Sequence, residues 1–124
     1  MAIICDIDDT VLKYGDIPIR NTIEYLKSLE GPVFMVTGRS PKKRAETVRA
    51  LRAAGVSYSR LYMAPDDIDD NEFKYETGKA LAAKYNITIA IDNSPKARAA
   101  YAKAGIKTKD PASLPKVGKF WNLW

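Results

Sequence analysis

Two stretches of this chain repeat one pattern: a short apolar run, a polar turn, then Ser-Pro opening a charged segment. The first is Val33-Phe34-Met35-Val36-Thr37-Gly38-Arg39-Ser40-Pro41 and the second is Ile89-Ala90-Ile91-Asp92-Asn93-Ser94-Pro95. Serine is a favoured helix N-cap and proline a favoured first helical residue, so each stretch reads as a strand feeding a helix. A third apolar run, Ala2-Ile3-Ile4-Cys5, begins the chain. Strands that alternate with helices imply parallel pairing through right-handed crossovers, hence an α/β fold. In such sheets ligands bind at the C-terminal edge of the strands.

The remaining elements follow from start and stop signals. Asn21 to Leu29 is expected to be a helix, with Asn21 and Glu24 in capping-box spacing and Gly31 as the stop. Pro41 to Ala54 should form a second helix ended by Gly55. A strand is expected near Arg60 to Met63, a helix from Phe73 to Tyr85, a strand from Ile87 to Ile91 and a helix from Pro95 to Ala104, with Gly105 as its stop. A short strand at Ile106 to Thr108 completes the series. No internal repeat or linker divides the 124 residues, and 46% hydrophobic content suffices for one core. One domain spanning 1–124 is expected.

Carboxylates stand where the first strand ends. In Asp6-Ile7-Asp8-Asp9-Thr10, residues i and i+2 of an extended chain point the same way. Asp6 and Asp8 can therefore face one substrate while Ile7 faces the core: one can attack, the other can move a proton. A lone Asp-x-Asp is weak evidence, because such pairs are common in solvated turns. The strand ends further along strengthen it. Thr37 stands at the edge of its strand, Gly38 and Arg39 occupy a turn whose free backbone N–H groups can meet an anion, Lys74 lies in a helical stretch, and Asp92-Asn93 follows the strand at Ile91.

With those residues in that order, the chain resembles the haloacid dehalogenase (HAD) superfamily of phosphohydrolases from about Ile3 to about Lys109. The resemblance implies a three-layer Rossmann-like core with a mainly parallel sheet. It also implies Asp6 as nucleophile, Asp8 as acid/base, Thr37 and Lys74 as phosphate-holding catalytic residues, and Mg²⁺ held by Asp6, Asp8 and Asp92 with Asn93 beside them. Thr10, Gly38 and Arg39 are expected to bind phosphate or the rest of the substrate, and Lys79 is the alternative for the lysine role. Two positions depart from the family pattern. Asp9 stands where many members have glycine, and Asn93 where many have a second acid. A narrower likeness, to the phosphatase half of polynucleotide kinase-phosphatases, is carried by Leu61-Tyr62-Met63 with Pro65, by Lys74, and by Ala90-Ile91-Asp92-Asn93 running to Gly105. No G-x-x-x-x-G-K-[ST] is present, so a kinase half is absent from this chain.

What the sequence lacks excludes other chemistries. With no histidine, a Ser-His-Asp triad, a Cys-His pair and an H-E-x-x-H zinc site are all ruled out. The residue six places after Cys5 is Val11, so the arginine of a cysteine phosphatase loop is missing. Cys5, the single cysteine, is expected to be a packed hydrophobe, and a chain with no disulfide suits the cytoplasm. No run approaches the ~20 apolar residues that span a bilayer, and no membrane partner is expected.

Loop length and charge bear on the substrate. Val11 to Arg20 and Ala64 to Glu72 are too short for the cap domains that many HAD relatives insert, so an open, uncapped site is expected. The net charge of +5, with Lys42, Lys43, Arg44, Arg49 and Arg52 close together, attracts polyanions, although many of these residues will simply face water. The expected activity is removal of a 3′-phosphate from DNA or RNA ends. Alternatives are a phosphatase of free nucleotides or other small phosphoesters, and a non-catalytic nucleic-acid-binding module. The acidic run Asp66 to Glu72 fails the EF-hand pattern and is expected to be a solvated loop. Phe120-Trp121-Asn122-Leu123-Trp124 is expected to dock on the protein's own sheet or to support a homodimer.

Overall fold

The computed structural model describes residues 1–116; the aromatic C-terminal segment, with the dimer contact expected of it, lies outside the described residues. In chain order the elements are β1 (Ala2–Cys5), β2 (Leu12–Lys13), β3 (Ile17–Pro18), α1 (Arg20–Lys27), β4 (Val33–Thr37), a 3-10 turn (Pro41–Lys43), α2 (Arg44–Ala54), β5 (Arg60–Met63), α3 (Asp70–Lys84), β6 (Ile87–Ile91), α4 (Pro95–Lys103), β7 (Thr108–Lys109) and a second 3-10 turn (Pro111–Ser113).

Strands apolar on both faces need cover on both faces, and that requirement sets the layers. A five-stranded sheet in the order β5-β4-β1-β6-β7 is parallel throughout. Alternation along β1 sends Ile3 and Cys5 to one side, where they meet Ile23 and Leu26 of α1 and Leu51 of α2. Ala2 and Ile4 go to the other, with Leu81 of α3 and Tyr101 of α4. Full burial stabilises by roughly 1.5–3 kcal/mol per large apolar side chain. Two cores back to back on one sheet thus make the three-layer α/β architecture that the sequence implies, with no cap domain among the described residues.

On the second face α3 packs on α4 through Gly78. A Cβ there would come within 2.9 Å of the Tyr101 ring and 3.2 Å of Ile106, so the glycine permits a helix contact no other residue would allow. Tyr101 is fully buried and its hydroxyl has no hydrogen-bond partner among the described residues.

Several elements differ from expectation. Helix α1 starts at Arg20, its N-cap Ile19 provides no side-chain bond, and Asn21 donates instead to the Pro115 carbonyl at 3.0 Å; the capping-box spacing does not act as one. Helix α3 starts earlier than Phe73 because Asp69 accepts from the backbone N–H groups of Asn71 and Glu72. Part of the expected acidic loop is therefore a helix start, where acidic residues are favoured. The strand expected at Ile106 to Thr108 is β7, shifted to Thr108–Lys109. The segment Val11 to Arg20 is not a plain loop: β2 and β3 pair antiparallel as a hairpin joined through Tyr14, Gly15 and Asp16.

Candidate active site

The turn after β1 builds the site. The Ile7 carbonyl accepts from the N–H groups of Thr10, Val11 and Leu12 at 3.1, 2.9 and 3.0 Å, folding the chain back on itself directly beyond Asp6. The fold-back needs a left-handed residue, and Asp9 has φ 60. Aspartate tolerates that conformation better than most residues, which explains both the glycine common there in the HAD pattern and its replacement here. Ile7 is buried, Asp6 is 4% exposed, and the Asp8 side chain is 51% exposed. The two carboxylates therefore occupy the floor and the mouth of one site.

Around Asp6 the adjacent strand ends supply its partners. Lys74 reaches in from α3, its Nζ 3.1 Å from Asp6 Oδ1 and 2.6 Å from Asp92 Oδ2. Asp92, fully buried at the end of β6, is held by the Ser94 N–H on Oδ1 at 3.0 Å and by Arg98, which donates to its main-chain carbonyl at 2.8 Å. Burial pushes the Asp6 carboxyl up to about 7, with Asp92 adding to the rise and Lys74 opposing it. Burial works to lower the Lys74 pKa, but Asp6 and Asp92 outweigh it, so the ammonium holds its proton above the usual lysine range. Lys79 is exposed, with its Nζ 5.8 Å from the Tyr75 ring; it is Lys74 that stands beside the carboxylates.

Other predicted residues are placed differently. Thr10 is fully buried, and its hydroxyl donates to Asp6 Oδ2 at 3.0 Å while accepting from the Asn93 N–H at 3.2 Å. Thr10, expected to bind phosphate or substrate, braces Asp6 from within the site. Asn93, with its amide oriented to satisfy its neighbours, donates to the Asp8 carbonyl and to Asp6 Oδ2, both at 3.0 Å. Through these bonds it orients oxygens of both Asp6 and Asp8. Thr37 is buried at the end of β4, and its Oγ1 accepts from the Arg39 N–H at 3.1 Å. Gly38 makes room for Asp70, whose carboxylate lies where a Cβ would be; its lack of a side chain seats the first turn of α3.

The guanidinium of Arg39, expected to contact substrate, bonds several groups of the chain at the mouth of the site. It donates to both Asp8 oxygens, to the Thr47 hydroxyl at 3.1 Å and to the Gly15 carbonyl at 2.8 Å, and those Asp8 bonds raise its own pKa further. Beside it opens a cleft of about 780 Å³ between the hairpin and α2, reaching in to Asp8. Nothing in the sequence reading singled out the hairpin residues that line it. The signal was present in Leu12-Lys13-Tyr14-Gly15-Asp16-Ile17, a Gly-bearing turn between apolar positions.

The donor set suits a hard divalent cation. Asp6, Asp92 and the Asp8 carbonyl offer oxygens only, and an ammonium already sits between the two carboxylates. Burial first, and Asp92 beside it, raise the Asp6 pKa against the opposing pull of Lys74. Among the described residues no group of three or more His, Cys, Asp or Glu side chains could hold a metal ion, so a cation would rely on the main-chain carbonyl as well.

Comparison with known proteins fits this geometry. Residues 16–96 match the model of the HAD superfamily, subfamily IIIB (acid phosphatase), a span that contains Thr37, Lys74 and Asp92 and begins after Asp6 and Asp8. No curated protein matches the chain. Among solved structures, a chain of the Pnkp1/Rnl/Hen1 RNA repair complex is similar in fold, with TM-score 0.73 and 18% identity over 88% of this chain and 41% of that one. A second structure of the Pnkp1/Rnl/Hen1 complex gives TM-score 0.66 and 20% identity over 88% and 45%. The present chain thus spans less than half the length of those it resembles. With more than half of its residues matched by the family model and an α/β core whose strand ends gather the carboxylates that Lys74 bridges, the chain belongs to subfamily IIIB (acid phosphatase) of the HAD superfamily.

Proposed function

We propose that the protein removes a phosphate from the 3′ end of DNA or RNA by two-step hydrolysis through an aspartyl phosphate on Asp6. The observation that carries the mechanism is Lys74 Nζ between Asp6 and Asp92, with Asp8 at the mouth of the same site. Asp6 attacks phosphorus in line, and the P–O bond to the leaving alcohol breaks as Asp8 gives that oxygen a proton. Asp8 then takes a proton from the water that attacks the phosphorus, freeing phosphate and restoring Asp6. Lys74, with Thr37 at the neighbouring strand end, neutralises the equatorial phosphoryl oxygens as charge spreads over them. Mg²⁺, held by Asp6, the Asp8 carbonyl and Asp92, would supply the charge neutralisation that lets a carboxylate approach a phosphate dianion. Thr10 and Asn93 aim the oxygens of Asp6 and Asp8. The buried, unpaired Cys5 suits a reducing cytoplasm.

Several features support a nucleic-acid end as substrate. The site lacks a cap, the net charge is +5, and the two similar folds belong to an RNA repair complex. Of the basic cluster, Arg44 donates to the Leu61 carbonyl and Lys42 pairs with Asp66; Lys43 and Arg49 are the members that line the cleft. Asp16 and Glu46 line it as well, and this near balance of charge favours free nucleotides as the second reading. Phosphate release from a 3′-phosphorylated oligonucleotide, a 3′-mononucleotide and glycerol phosphate separates the two. The oligonucleotide should be preferred at low salt, and the preference should shrink as salt rises. Equal efficiency on the mononucleotide would transfer the assignment to free nucleotides.

A further inference from the structure

We infer that the cleft between the hairpin and α2 is a nucleobase subsite on the leaving-group side of the reaction, with Tyr14 as its stacking platform. This rests on the nucleotide-bearing substrate proposed above. The cleft begins at Asp8, so whatever remains attached to the departing oxygen lies along it. Its volume, about 780 Å³, falls within the roughly 300–1,000 Å³ that encloses a whole small ligand. From Lys43, the N-cap of α2, the lining positions Glu46, Ala50 and Ala53 follow at spacings of three and four, one face of the helix. Two alanines on that face leave a shallow apolar wall.

Tyr14 stands at the hairpin tip, 82% exposed and at φ 53. A bulky residue in the left-handed region is a strained placement, and strain of this kind concentrates where function requires it. The ring packs into neither core; Lys13 Nζ is 5.6 Å from its centroid. Arg39 and Asp8 neutralise each other, while Lys43 and Arg49 offset Asp16 and Glu46. Charge therefore does not define the ligand of this cleft. A flat face, an apolar wall and acidic groups able to accept from exocyclic N–H donors describe a nucleobase, which stacks on aromatic side chains irrespective of its sequence.

The test uses the full chain with Mg²⁺ and three substrates: a 3′-phosphorylated oligonucleotide, the same oligonucleotide with a base-free tetrahydrofuran as its terminal residue, and glycerol phosphate. Tyr14→Ala should raise KM for the first about tenfold with kcat retained, and Tyr14→Phe should restore it. For the unaltered enzyme, deleting the terminal base should cost the same factor, and Tyr14→Ala should add no further loss on that base-free end, because the two deletions remove one contact. Full additivity of the two losses, or an unchanged KM in Tyr14→Ala, would overturn the subsite while leaving the nucleotide preference standing. If the unaltered enzyme does not prefer the oligonucleotide to glycerol phosphate, the substrate class itself is wrong and the subsite falls with it.

Discussion

Arg39 grips Asp8 along both carboxylate oxygens, with Nη2 2.8 Å from Oδ1 and Nε 3.1 Å from Oδ2. The same guanidinium ties down Thr47 on α2 and the Gly15 carbonyl of the hairpin, so one side chain fixes Asp8, the residue proposed to transfer the proton, relative to both walls of the cleft. Arg39→Lys keeps the charge but not the planar fork. Loss of positioning costs rate more than binding, so kcat should fall by about tenfold or more with KM little changed. Steady-state kinetics on the oligonucleotide would reveal the opposite split if Arg39 served mainly to hold substrate.

Asp6→Asn should abolish turnover, by roughly 10⁴-fold or more, and yet stabilise the metal-free protein at neutral pH. Asp6 titrates near 7 when folded and near 4 when unfolded. Between those values the folded state binds the extra proton, so stability declines as pH rises from about 4 to about 7. Lys74, whose pKa is raised, keeps its contribution throughout that window. Thermal unfolding in EDTA should therefore show Asp6→Asn gaining on the parent at pH 8 and not at pH 4. An equal difference at both pH values would remove the buried-acid explanation.

Mg²⁺ should raise the unfolding midpoint of the parent protein, because a ligand of the folded state stabilises it by mass action. Asp92→Asn weakens the donor set and should flatten that dependence on Mg²⁺ concentration. Calorimetric scans without substrate would check this independently of activity. An identical Mg²⁺ response in Asp92→Asn would exclude Asp92 as a ligand.

Tyr14→Asn should leave the fold as stable as before or more so, by up to ~1 kcal/mol, since asparagine accepts the left-handed conformation more readily and an exposed ring gives little packing. Urea denaturation measures this. A loss above about 1 kcal/mol would mean that the ring supports the hairpin.

The strands β1, β4, β5 and β6 were legible in the sequence because short, mainly apolar runs between turn signals leave little alternative. Asp6 and Asp92 were legible for the same reason, since each is the first polar position past a strand; Lys74 comes from within α3 and was legible only through its place in the motif order. The start of α3 was obscured by reading Asp69 to Glu72 as charge and not as a cap followed by a helix-favoured first turn. The assignments of Thr10 and Arg39 turned on tertiary partners: Asn93 lies 83 residues from Thr10 and Asp8 lies 31 from Arg39. No local pattern announces pairings at that separation.

Gly78 gives the α3–α4 contact a consequence for chemistry on the far side of the sheet edge. Lys74 sits one helical turn before it, and Asp92 lies just ahead of the Ser94 that caps α4. Because the Tyr101 ring fills the space that any Cβ at position 78 would need, how closely these two helices approach is tied to the distance at which the ammonium meets the carboxylates. The electrostatics of phosphoryl transfer in this protein are thus gauged by a hydrocarbon seam, at a residue that has no side chain.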